Sequence, residues 1–224
     1  MKILLKDFNN AHRLCEESCK PQWDDLLHIL TGMPLHLKAS DQAGIQGQGI
    51  FDPVGTNEYL KKKLSLTSGW NPNVSIPKEY NFLGKDVDFT NRNTLVEVQF
   101  SNYPFLLNNL IRSQLFINGS VYFNGFTISM LTIITKSNSI PSSNSTLYFE
   151  QAVSQINALV KADVCKIPVR LIGLTEDTNT ECKSIWTDYK SARYSRIINM
   201  QKNGTACLLD KSAKSNTKYK VTFE

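Results

Sequence analysis

The sequence makes no provision for zinc, a disulfide frame or a nucleotide-binding loop. Its five cysteines (Cys15, Cys19, Cys165, Cys182 and Cys207) are an odd number at irregular spacing. Without a Cys-x-x-Cys pair or a histidine-rich partner segment they read as reduced cytoplasmic thiols. Histidine is scarce, three in all, and none lies in a nucleophile motif. The glycine-bearing stretch Asp41 to Gly49 contains no Gly-Lys-Ser/Thr sequence and reads as a loop. The opening run Met1 to Asp7 is too short in apolar residues for a signal peptide. No other run approaches the roughly 20 apolar residues a membrane helix needs. A cytoplasmic protein with no membrane partner is expected.

What is present points elsewhere. A chain of 224 residues, 41% of them hydrophobic, buries one sizeable core. A net charge of +5 favours an anionic partner. The most informative stretch runs from Lys85 to Phe100, where two alternating runs flank the polar turn Asn91-Arg92-Asn93 as in a β-hairpin. Period two sets Leu95, Glu97 and Gln99 on one face and Val96, Val98 and Phe100 on the other. Asp86 and Asp88 share a face of the preceding strand, and folding the hairpin brings one of them beside Glu97. Crowded carboxylates repel unless a cation lies between them, and hard oxygen donors suit Mg²⁺. A solvated face would give the same alternation.

Around this hairpin the spacing predicts a helix over Pro21 to Leu30, with Trp23, Leu26, Leu27 and Leu30 inward and a stop at Gly32. A second helix spans Pro53 to Leu66, burying Val54, Tyr59, Leu60 and Leu64 and carrying Lys61, Lys62 and Lys63 on an exposed end. Ser68 to Lys78 holds too many turn formers for regular structure. A helix over Tyr103 to Phe116 places Tyr103, Leu106, Leu107, Leu110 and Leu115 inward. Ile128 to Thr135 and Pro168 to Leu174 read as strands buried on both faces. They are linked by a helix over Leu147 to Ala162, capped by Asn144 or Ser145. Strand, crossover helix and strand form a right-handed parallel unit. The fold expected is α/β: a mixed central β-sheet flanked by helices, with a small β-rich C-terminal extension. Residues 1–175 are expected to form the catalytic core and 176–224 an extension contributing to DNA binding, the two making one structural domain. Beyond Leu174 the chain reads as strand-poor until Val221, with Thr178 to Thr187 a loop and short strands with basic edges after Asn203.

Several blocks make the pattern specific. Val96-Glu97-Val98-Gln99-Phe100-Ser101-Asn102-Tyr103-Pro104-Phe105-Leu106-Leu107-Asn108-Asn109 and Phe51-Asp52-Pro53-Val54-Gly55-Thr56-Asn57 carry most of it. Met33-Pro34-Leu35-His36, Lys38 to Ala43, Ser143-Asn144-Ser145 and Arg193-Tyr194-Ser195-Arg196 add to it. Together, from about residue 20 to about residue 196, the chain resembles the BglII-like type II restriction endonucleases of the PD-(D/E)xK nuclease superfamily. The resemblance implies a homodimer that binds double-stranded DNA. It implies Mg²⁺-dependent hydrolysis at a palindrome, 5′-AGATCT-3′ cut after the first A to leave GATC overhangs.

By the same resemblance Asp88, Glu97 and the Val98 carbonyl hold the metal, with Asp86 the alternative acid. Gln99 orients the attacking water, where most of the superfamily has Lys, and Asn73 lies in the active-site environment. Ser101, Asn102, Asn144, Ser145, Tyr148 and Tyr194 are implied to face DNA, with Arg112 and Arg196 as further candidates. Ala192 departs from the Lys expected before the final Arg-Tyr-Ser-Arg. Two rivals remain at this stage: a same-fold DNA-binding module that does not cut, and a nuclease that recognises structure instead of sequence. A different GATC-containing hexamer is the variant reading of specificity.

Overall fold

The computed structural model describes residues 1–143, 146–191, 197–210 and 219–224. The first half runs β1 (Lys2–Phe8), α1 (Ala11–Glu16), α2 (Lys20–Thr31), β2 (Leu35–Ala39), β3 (Gly49–Phe51), α3 (Pro53–Ser65) and β4 (Asn71–Ser75). The hairpin follows as β5 (Asp86–Asn91) and β6 (Thr94–Val98), then α4 (Pro104–Asn118), β7 (Tyr122–Phe123), β8 (Phe126–Thr127) and β9 (Met130–Lys136). The chain closes with α5 (Phe149–Lys161), β10 (Val169–Thr175), β11 (Glu181–Tyr189), β12 (Ile198–Asp210) and β13 (Tyr219–Phe223).

Six strands form the main sheet in the order β1-β10-β9-β6-β5-β4. Its centre is parallel, because α4 carries the chain from β6 to β9 and α5 from β9 to β10. The flanks β1, β5 and β4 run antiparallel to their neighbours, so the sheet is mixed. All seven residues of β9 are buried, as expected of a strand covered on both faces. Successive residues of β6 go to opposite cores. Leu95 joins Leu106, Leu110 and Phe116 of α4 and Ile156 of α5. Val96 joins Leu26 and Leu30 of α2 and Leu60 and Leu64 of α3.

A second sheet has the order β13-β12-β11-β2-β3, with β11 parallel to β2. Ala206, Leu208 and Val221 from its C-terminal strands share one core with Leu35, Leu37 and Phe51.

The structure corrects four sequence expectations. Ser68 to Lys78 contains β4; Pro72 is tolerated because β4 is an edge strand and needs no donor on its open side. Thr178 to Thr187 is largely β11, and β11 and β12 form a long hairpin. Their polar composition hid them because one side of each stays open to solvent. The inward side of α4 is Leu106, Asn109, Leu110, Arg112, Ser113 and Phe116, while Tyr103, Leu107 and Leu115 are 52%, 41% and 37% exposed. Hydrophobic spacing misjudges the helix phase because its packed side carries polar groups to the site below. Finally, α5 begins at Phe149 with Tyr148 at its N-cap in extended geometry. Leu147 is buried ahead of the helix, held there as Thr146 bridges Ser101 and Tyr148 bridges Lys136.

Candidate active site

The pairing of β5 places the acids. Between β4 and β5, Pro72 faces Phe89 and Val74 faces Val87, and the ladder lapses at Asn73 and Asp88 between them. On the other side the β5–β6 ladder ends at Phe89 and Val96, so the next opposed residues are Asp88 and Glu97. Asp88 therefore lies between Asn73 on one strand and Glu97 on the other. Asn73 adopts a left-handed backbone with φ 50°, a conformation Asn tolerates better than most residues. Asp88 Oδ2 accepts the Val98 N–H at 2.7 Å, which fixes the carboxylate against the end of β6. Asp86 is exposed at the start of β5, so the register selects Asp88 as the neighbour of Glu97.

Glu97 is 2% exposed, which excludes a merely solvated polar face. Arg112 reaches down from α4, its Nη2 donating to Glu97 Oε1 at 2.6 Å and its Nη1 to the Asp86 carbonyl at 3.0 Å. Burial pushes the Glu97 carboxyl up to about 8; Arg112 opposes the shift and the Asp88 carboxylate adds to it. Burial also raises Asp88, against the pull of the Val98 N–H and of Arg112. Two acids are thus held together in a medium that disfavours their charges. Their oxygens and the adjacent Val98 carbonyl make a hard donor set that fits a divalent cation. Among the described residues no third His, Cys, Asp or Glu completes a cage. Such a set leaves positions for water and substrate oxygen, as Mg²⁺ sites do.

A cavity of about 210 Å³ opens beside Asp88, lined by Asn57, Glu58, Lys61, Asn73, Asp88, Phe89 and Val98. Gln99 is not part of that lining. Its Nε2 donates to the Ser101 carbonyl, and its Oε1 accepts from Asn109 Nδ2 at 3.5 Å. Ser101 and Asn102 are exposed just beyond β6, and Ser101 bridges Thr146 ahead of α5. Arg112 is 7% exposed and committed to Glu97, so it supports the acids and is not at a surface open to a duplex. Tyr148 packs under the ammonium of Lys136, 4.0 Å from ring centroid to Nζ. Asn144, Ser145, Tyr194 and Arg196, like Ala192, lie outside the described residues.

Three features escaped sequence reasoning. Arg112 and Asn109 were readable only as helix-surface polars, although their spacing from Leu106 and Leu110 places them on the buried side once the phase is known. Lys136 is fully buried and its Nζ has no hydrogen-bond partner among the described residues; burial lowers its pKa to about 7, with Glu150 opposing. Asp52, also fully buried, accepts the Tyr189 hydroxyl at 2.8 and 2.7 Å on its two oxygens. That contact joins the end of β11 to the start of α3.

Comparison with known proteins gives consistent results. Residues 4–174 match the model of the family described as restriction endonuclease BglII/BglIII. Over 199 residues the chain is 49% identical to the type II restriction enzyme BglII of Bacillus subtilis, covering 88% of this chain and 87% of that protein. It superposes on a crystal structure of restriction endonuclease BglII complexed with a DNA 16-mer with a TM-score of 0.93, at 42% identity and full coverage of both chains. Against free BglII the TM-score is 0.77, at 40% identity and the same coverage. The chain's conformation is nearer the DNA-complexed form.

Proposed function

The chain belongs to the BglII/BglIII restriction endonuclease family, and on that premise we propose that it is a type II site-specific deoxyribonuclease acting on double-stranded DNA. Restriction endonucleases of this kind depend in general on a divalent metal; here the ion is Mg²⁺. The observation that carries the reading is the pair Asp88 and Glu97, opposed at the end of a β-ladder beside a polar cavity.

Asp88, Glu97 and the Val98 carbonyl would hold the cation, which would supply Lewis-acid activation of water and offset charge on the phosphodiester. Arg112 anchors one oxygen of Glu97 and leaves the other to the site. The Val98 N–H orients Asp88, and Asn73 faces the same cavity. Gln99, held by Ser101 and Asn109, acts through the end of β6, whose position it fixes where Ser101 and Asn102 meet DNA. Water adds to phosphorus, the bond to the 3′ oxygen breaks, and the product carries a 5′ phosphate. The site read is 5′-AGATCT-3′, cut after the first A. Asn144, Ser145, Tyr148, Tyr194 and Arg196 complete the DNA-facing set, and with Ala192 in place of Lys one contact of that set is absent or moved.

Cutting both strands of a palindrome needs two such sites, which a two-fold homodimer supplies. The exposed apolar row Leu107, Ile111 and Leu115 on α4 is the interface this requires. It continues into an apolar hollow toward α5, lined by Leu107, Leu110, Ile111, Leu159, Val164 and Cys165. No helix among the described residues is long and apolar enough to cross a membrane. We place the enzyme in the bacterial cytoplasm.

The test is a defined plasmid incubated with purified protein and Mg²⁺, with EDTA as the control, followed by sequencing of the fragment ends. Uniform GATC overhangs at AGATCT support the reading. Binding without cleavage, nicking governed by DNA structure, or uniform ends at another hexamer would each replace it in part or whole.

A further inference from the structure

The cavity beside Asp88 contains one basic side chain, and it comes from neither strand of the hairpin. Lys61 lines it from α3, together with Asn57 and Glu58, opposite Asp88, Asn73 and Val98. Leu60 and Leu64 of α3 are fully buried, which fixes the rotation of the helix and leaves Asn57, Glu58 and Lys61 on the adjoining face that lines the cavity. Lys61 is free to act: none of the ion pairs or hydrogen bonds among the described residues engages it. Its neighbours are committed elsewhere. Lys63 lies over the ring of Tyr59, Arg112 is paired with Glu97, and Gln99 carries no charge and faces Ser101. A phosphodiester entering this cavity gathers negative charge as water adds to phosphorus, and a cation fixed beside it stabilises that charge.

We propose that Lys61 is a catalytic residue whose ammonium contacts a nonbridging oxygen of the scissile phosphate, a role that rests on the nuclease reading above. Lys61 stays protonated throughout. The proton of the attacking water and the proton taken up by the departing 3′ oxygen are exchanged with solvent, so the step balances as simple hydrolysis. Lys61 is the positive charge that the strand position of Gln99 does not supply. Its placement on a separate element means that it reports the distance between α3 and the hairpin.

Lys61→Met, Lys61→Arg and Lys61→Ala are compared with wild type under single-turnover conditions with enzyme in excess, and duplex binding is measured separately in EDTA. Lys62→Met serves as the neighbouring control. The rate constant of Lys61→Met should fall about a hundredfold, as on loss of one fixed donor to a transition state. Lys61→Arg should stay within about tenfold of wild type because the charge remains. Methylammonium should restore cleavage by Lys61→Ala in proportion to its concentration, which a purely structural role would not produce. Lys62→Met should cut like wild type. A Lys61→Met rate within threefold of wild type overturns the assignment, and so does a loss that neither Arg nor methylammonium repairs. If wild type itself does not cut, the nuclease reading falls and this one with it.

Discussion

Replacing Glu97 by Gln should make the metal-free protein more stable, by an amount that grows with pH. Burial and the neighbouring Asp88 raise the Glu97 carboxyl from its ordinary 4.5 to about 8. The sign follows from proton counting. Between those values the folded protein holds a proton that the unfolded chain has released, so stability present below pH 4.5 is lost as pH rises through about 8. At about 1.4 kcal/mol per unit, the cost reaches a ceiling of about 5 kcal/mol at pH 8 and above. Gln cannot titrate and escapes it. Arg112 loses a charged partner in the variant, but a guanidinium does not titrate here, so that loss is a constant offset. The change of the difference with pH therefore isolates the carboxylate. Urea denaturation in EDTA at pH 5, 6.5 and 8 measures it. The margin of the variant over wild type should widen by several kcal/mol across that range, while cleavage is abolished. Adding Mg²⁺ should stabilise wild type more at pH 8 than at pH 6 and leave the variant unmoved. Parallel stabilities of the two proteins from pH 5 to pH 8 would refute the reasoning.

Three further outcomes are expected. Asp88→Ala should lower plasmid cleavage by more than the roughly 100-fold typical of losses outside a metal's ligand set, while Asp86→Ala keeps cutting; the reverse order would reassign the ligand. Arg112→Met breaks a buried pair worth about 3–5 kcal/mol. At pH 8.5, where Glu97 is ionised, its melting temperature should drop by about 6 °C or more by calorimetry. Lys136→Met should stabilise the protein at pH 6 by about 3 kcal/mol, because the amine's pKa is depressed to about 7 and ring contacts with Tyr148 offset part of the cost. That gain should fade between about pH 7 and pH 10.5 as the unfolded chain also loses its proton, and a constant gain in chemical denaturation would contradict it.

The parallel heart of the fold is legible in the sequence because β9 is rich in β-branched residues, β10 is largely apolar and the helices between strands keep their spacing. Glu97 is legible as a residue but not its setting. Alternation on β6 is compatible with a solvated face, and only the helix laid over it shows that the carboxylate is buried. Asp88 and Asp86 are indistinguishable by period two; the register of β5 against β6 separates them, and register is a property of two strands at once. β4 is hidden because its Pro and Asn are turn formers everywhere except on an open edge. β11 and β12 are hidden because their polar residues belong to a sheet with one free side. Arg112 reads as a surface cation on α4 because nothing local announces that a helix will turn polar groups toward an acid beneath it.

The phenol of Tyr189 ties the second sheet to α3. It bonds both oxygens of a carboxylate sealed from water at Asp52, so withdrawing it leaves that buried acid to the Gly55 N–H, Thr187 and the charge of Lys38. Tyr189 ends the strand that leads to the Arg-Tyr-Ser-Arg segment, and Asp52 begins the helix that bears Lys61. A displacement at the end of β11 is therefore passed to the start of α3, so the second sheet and this helix shift as one body.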